Sequence, residues 1–119
     1  MKQNKQNIEI KQLEQLSDKG RKVFQGWWNN CVSLKNKRGI KVVNIGEYYL
    51  PLITIGLLIQ FLDCFNWFNK EDLYQYHIHV DFDGWHIRKG EKEPCYSDDE
   101  LCDALWNAVK DECESDPHE

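Results

Sequence analysis

The stretch Leu50–Phe65 constrains this chain more than any other, because from Thr54 onward its apolar residues cover nearly every face of a helix. Such a helix does not rest on a surface with one side in water, and other elements have to wrap it. Its about sixteen residues, interrupted by Pro51, Gln60 and Asp63, fall short of the ~20 unbroken apolar residues of a bilayer span. A core helix is therefore expected and a membrane segment is not. Thr54 is its N-cap, and the helix gives out near Asn66.

A chain of 119 residues makes one domain with a core of useful size. Residues 1–7 are polar and expected to be disordered, residues 8–113 form a single α+β domain, and residues 114–119 are an acidic flexible tail. The N-terminus shows no apolar leader with a small-residue cleavage site, which predicts a cytoplasmic protein. Five cysteines at irregular spacing, with no C-x-x-C, fit neither a disulfide framework nor a zinc ribbon. Cys31, Cys64, Cys102 and Cys113 fall beside apolar residues and read as small buried hydrophobes. Cys95 lies in a polar loop and reads as the exposed one.

The remaining elements follow from punctuation and period. Ile8–Leu16 is ambiguous between a short strand and a helical turn. Ser17 caps a helix to about Asn30, with Val23, Phe24, Trp27, Trp28 and Cys31 at i,i+4 spacing on one apolar face. Ile40–Ile45 reads as a strand broken at Asn44–Gly46, which Tyr48–Tyr49 extends or pairs with. Leu73–Asp81 and Trp85–Lys89 flank Asp83-Gly84, a hairpin signal in which Phe82 faces Trp85, Val80 faces Ile87 and Ile78 faces Lys89. Tyr76 joins their core face, and His77, His79, Asp81, His86 and Arg88 share the other. Glu91–Tyr96 reads as a loop, and Ser97 with Glu100 as the capping box of a last helix to about Cys113, with Leu101, Cys102, Leu105, Val109 and Cys113 buried and Trp106 at the margin. The sum is a small, largely antiparallel sheet packed by about three helices.

Several stretches together resemble small uncharacterised proteins of phages and prophages in low-GC Gram-positive bacteria. They are Trp27-Trp28 closing its helix, Leu50–Gly56 leading into Ile59–Leu62, and Glu100–Trp106 with Ala108–Lys110. The resemblance implies a viral or mobile-element setting. That setting favours inhibitors of host defence such as anti-CRISPR proteins, which are often small, acidic and non-enzymatic. It supplies no catalytic residue.

Three polar constellations are candidate sites. On the hairpin, His77, His79, Asp81 and His86 share a face, so imidazoles and a carboxylate converge within metal-ligand reach, and zinc suits such donors. The same residues also suit an exposed face whose charges partly neutralise each other. Net charge supplies the other two. Residues 1–42 carry ten Lys or Arg against Glu9, Glu14 and Asp18, for +7, whereas residues 43–119 carry five against seventeen, for −12. On the last helix Asp98, Asp99, Glu100, Asp103, Asp111 and Glu112 offer an acidic face to a basic, nucleic-acid-handling protein. Lys35, Lys37, Arg38 and Lys41, near Trp27 and Trp28, interleave basic and aromatic residues as nucleic-acid surfaces do.

No glycine-rich phosphate loop, G-x-S-x-G elbow or H-E-x-x-H motif occurs, so no catalytic or cofactor-binding residue is assigned. The leading expectation is an accessory protein that binds a macromolecular partner of the host through its acidic half. A metal-binding protein or small metal-dependent enzyme is the first alternative, and a nucleic-acid binder through the basic third is the second.

Overall fold

The entry of the chain is set by backbone pairing. Ile8 N–H donates to Ile53 O at 3.1 Å and Ile55 N–H to Gln6 O at 3.0 Å, while Asn7 bridges Thr54. In this computed structural model, residues 5–65, 67, 78–89 and 92–115 are described, apart from the side chains of 89 and 92–94. The sequence expectations for residues 1–4, for residues 73–77, with His77 as a ligand candidate, and for residues beyond Ser115 lie outside the described residues. The expected polar tail is already held at Lys5. Its Nζ donates to Asp103 Oδ1 at 2.6 Å and Gln12 Oε1 at 2.9 Å.

The ambiguous stretch becomes a single helical turn, α1 (Ile10–Leu13), whose Gln12 side chain closes back on Glu9 N–H. Ser17 caps α2 (Asp18–Cys31) by accepting from Gly20 N–H at 3.1 Å, as its residue type predicts. Glu114 covers the same end, accepting from Ser17 Oγ at 2.6 Å, so the start of the acidic tail is tied down. After α3 (Leu34–Lys37), β1 (Val42–Ile45) and β2 (Tyr48–Pro51) form an antiparallel hairpin, Ile45 opposite Tyr48. Gly46 turns it at φ +63°, a conformation that L side chains rarely adopt. Thr54 then caps α4 (Ile55–Cys64) by accepting from Leu57 N–H at 3.3 Å.

The second half forms a three-stranded antiparallel sheet in the order β3 (Ile78–Asp81), β4 (Gly84–Lys89), β5 (Lys92–Asp98), followed by α5 (Leu101–Cys113). The fold is α+β. No helix among the described residues is long and apolar enough to cross a membrane.

The hub differs from the expected one. α4 buries Leu57, Leu58, Phe61 and Leu62 but exposes Gly56, Asp63 and Cys64. α5 is the more enclosed helix, packed against α2, α4, β4 and β5, with eight of its thirteen residues buried. Ala104 and Ala108 keep its flanks narrow. Trp106, expected at a margin, is fully buried, meets Phe24 edge-on at 5.9 Å and donates its indole N–H to Gln15. Phe24, Trp27 and Phe61 complete an aromatic cluster between α2 and α4.

Several local expectations are corrected. The hairpin turn is Phe82–Asp83, one residue earlier than Asp83-Gly84, so Ile78 faces Ile87, Val80 faces Trp85 and Asp81 faces Gly84. Asp81 Oδ1 accepts from Asp83 N–H at 2.8 Å, a side-chain closure that places the turn ahead of the glycine. The correction moves each cross-strand partner by two, an even step, so the two faces keep their residues. Two residues expected in the core are exposed instead: Phe82, at the tip, is 97% exposed, and Val80, two residues before it, is 56% exposed.

From Lys92 onward the expected loop is not formed, because β5 occupies Lys92–Asp98 and tolerates Pro94 as an edge strand. Ser97 is consequently a strand residue, and Glu100 holds the N-cap position of α5 with no side-chain capping bond. Cys31 and Cys64, at helix ends, are exposed, whereas Cys95 is half-buried. Cys102 and Cys113 are buried, and burial pushes the Cys102 thiol up to about 11.

Candidate metal centre on the sheet

Strand alternation gives the three-stranded sheet a core side and an outer side. Ile78 and Ile87 are buried on the side facing α5, where Tyr96 donates its hydroxyl to Asp111. The next residues along each strand, His79, Asp81, His86 and Ser97, therefore point away from the core. His79 lies directly opposite His86, and His86 opposite Ser97, so the register alone sets the three side chains in a row across the sheet.

The row is closely coupled. The imidazoles of His79 and His86 stack with centroids 4.9 Å apart and 24° between planes. His86 Nε2 lies 3.0 Å from Asp81 Oδ1, and His86 Nδ1 lies 2.7 Å from Ser97 Oγ. Cys95 Sγ stands 3.8 Å from both His86 Nδ1 and Ser97 Oγ. The His86 hydrogen bond, followed by the Asp83 N–H, holds the Asp81 carboxyl below its usual range. Gly84 is required beside it, because at φ +123° a Cβ here would meet Asp98 O at 2.7 Å.

One ligand atom each from His79, Asp81 and His86 all lie within 4.8 Å of one another. An ion bound at ~2.0–2.1 Å needs tetrahedral ligands about 3.3 Å apart, so side-chain movements of about 1 Å close the set. Two imidazoles and a carboxylate suit a zinc-class divalent ion and leave at least one coordination position open. Ser97 contributes what a ligating histidine usually has, an oxygen on its second ring nitrogen.

Of the expected ligands, His79, Asp81 and His86 are brought together. Ser97 and Cys95 were missed. The period of two in Cys95, Tyr96 and Ser97 is the signal that finds them, but Pro94 and the capping-box pattern hid the strand.

The acidic set is dispersed into internal contacts. Asp103 accepts from Lys5 and from Gln12 Nε2 at 2.9 Å, and Glu100 Oε2 accepts from Lys5 N–H at 3.2 Å. Burial alone lowers the Lys5 pKa, but its bonds to Asp103 and Glu9 outweigh burial and raise it. Asp98 accepts from Glu100 N–H, Asp111 from Tyr96, and Asp99 is exposed. Glu112 is not on the solvent side: it is 7% exposed and accepts the Trp67 indole N–H. In the basic set Lys35, Arg38 and Lys41 are exposed, and Lys37 Nζ sits 5.2 Å over the ring of Trp28. Trp27 and Trp28 are 3% and 6% exposed and serve the core.

No protein-family model, curated protein or solved structure matches this chain.

Proposed function

We propose that this protein binds a zinc-class divalent metal ion through His79, Asp81 and His86. The observation that carries the reading is the convergence of three ligand atoms of the right chemistry, within 4.8 Å, on the open face of a sheet. Strands hold the ligands, which favours a defined geometry over a chance surface cluster. The open position accepts water or a donor group from a bound molecule.

Binding would require a proton shift on His86. Without metal, His86 Nε2 carries a proton toward the Asp81 carboxylate, the only arrangement in which that 3.0 Å contact is a hydrogen bond to an ionised acid. A bound ion would take the Nε2 lone pair and leave the proton on Nδ1, from where it would be donated to Ser97 Oγ. The serine hydroxyl serves both states because it rotates between donor and acceptor. Elemental analysis of protein that has never met a nickel column tests the reading. Close to one equivalent of zinc is expected, lost in His86→Gln, and less than about a tenth of an equivalent after zinc incubation and desalting contradicts it.

A macromolecular partner engaged through the acidic half is the second reading, supported by the charge division between the two parts of the chain. It ranks lower because Asp98, Glu100, Asp103, Asp111 and Glu112 already accept internal hydrogen bonds. A viral or mobile-element setting, and inhibition of a host defence protein, belong to this second reading and rest on the resemblance alone.

A further inference from the structure

From Lys19 to Gly46 the chain carries seven Lys or Arg and not one Asp or Glu. This run builds α2, α3 and β1, so its charge belongs to adjoining elements of the first half and not to a tail. Four of its cations, Lys22, Lys35, Arg38 and Lys41, are exposed. Arg38 also lines an open hollow of about 420 Å³ with Asn36, Gly56 and Gln60, and no acidic residue contributes to its wall. A surface of this kind, on a chain whose net charge is −5, is out of keeping with the rest of the molecule.

We propose that the surface built by this acid-free run docks on the phosphate backbone of a nucleic-acid duplex, with Lys35, Lys37, Arg38 and Lys41 as the phosphate contacts. Charge complementarity selects a polyanion. The burial of the tryptophans selects among polyanions. Single strands are held largely by stacking unpaired bases on exposed aromatic rings, and here Trp27 lies in the core while Lys37 covers Trp28. Cations whose neighbouring tryptophans are withheld from stacking suit a duplex, whose phosphates present one charge per ~1.7 Å of axis and whose bases are already stacked. Hydrogen bonding from Arg38, Asn36 and Gln60 around the hollow gives the backbone a place to seat. Binding of this kind is sequence-independent and does not involve His79, Asp81 or His86.

The test is equilibrium binding of the whole chain, in chelator, to a labelled mixed-sequence duplex of about 20 base pairs over a range of salt. Four phosphate contacts predict that log K falls against log salt with a slope of about −3 to −4. Lys35→Gln, Arg38→Gln and Lys41→Gln together should flatten that slope by roughly 3 and weaken binding at least ~10-fold at roughly 50 mM salt. These side chains are exposed, so circular dichroism and thermal melting should be unchanged. Absence of duplex binding at roughly 50 mM salt overturns the proposal. So does a triple variant with the parental slope, and so does tighter binding to the single strand of the same sequence.

Discussion

Helix α5 and the outer face of the β3–β4–β5 sheet both carry groups of ionisable residues, and they use them in opposite ways. On α5 and its approach, carboxylates reach inward or sideways to groups that need an acceptor: Asp103 to Lys5 and Gln12, Asp111 to Tyr96, Glu112 to the Trp67 indole. On the sheet, the side chains of His79, Asp81, His86 and Ser97 reach toward one another. The difference separates charge that stabilises the fold from charge available to a ligand. A row of acids in a sequence does not distinguish the two, because a buried acceptor and a solvated one have the same residue type.

That contrast is breakable, and the largest effect is expected at Glu112. Replacing it by Ala strands the buried Trp67 N–H and should cost about 2–3 kcal/mol of stability in urea unfolding. A loss below about 0.5 kcal/mol would make Glu112 a surface acid after all. Asp103→Ala, which takes one acceptor from both Lys5 Nζ and Gln12 Nε2 at a partly buried site, should cost about 1–2 kcal/mol by the same measurement.

The sheet face should respond the other way. His79→Ala and Asp81→Asn are expected to disturb stability far less than Glu112→Ala, since both positions face outward and the introduced amide keeps an oxygen for the Asp83 N–H. Both should lower zinc affinity by ~10-fold or more in calorimetric titration, and acidification should weaken it further because a ligating imidazole must be deprotonated. Equal affinity in parent and variants would remove the contrast.

The smallest effect is the pH dependence tied to Asp81. Its folded-state pKa is depressed, chiefly by the His86 hydrogen bond, below the ordinary value of 3.8. Its contribution is therefore present above that value and disappears as pH falls through the lower folded pKa. The stability difference between parent and Asp81→Asn, followed by denaturation midpoints, should shrink as pH drops below 3.8. A difference that grows on acidification contradicts the assignment.

Much of the first half was readable because its signals are local. Ser17 and Thr54 cap where their side chains predict, and Gly46 turns the first hairpin by a positive φ. The second half depended on information that local patterns lack. Asp83-Gly84 is a strong turn signal, yet the Asp81 carboxylate closes the turn one residue sooner. Ser97–Glu100 has the pattern of a capping box, but pairing with β4 claims Ser97 for a strand. Convergence of His79, Asp81 and His86 was readable because period two survives an even register shift, whereas Ser97 became visible only with the third strand in place. Cys31 and Cys64 were misplaced because helical spacing shows a stripe without showing where the covering elements stop.

The central claim is that His86 exchanges a proton on Nε2 for a metal ion while Ser97 holds the opposite nitrogen. Nitrogen-15 imidazole NMR of the tag-free protein, followed through a zinc titration, tests it most directly. One equivalent of zinc should remove the proton from His86 Nε2, shift the His79 ring with it and leave a proton on His86 Nδ1. Imidazole signals of His79 and His86 that stay in place after a full equivalent of zinc would contradict it.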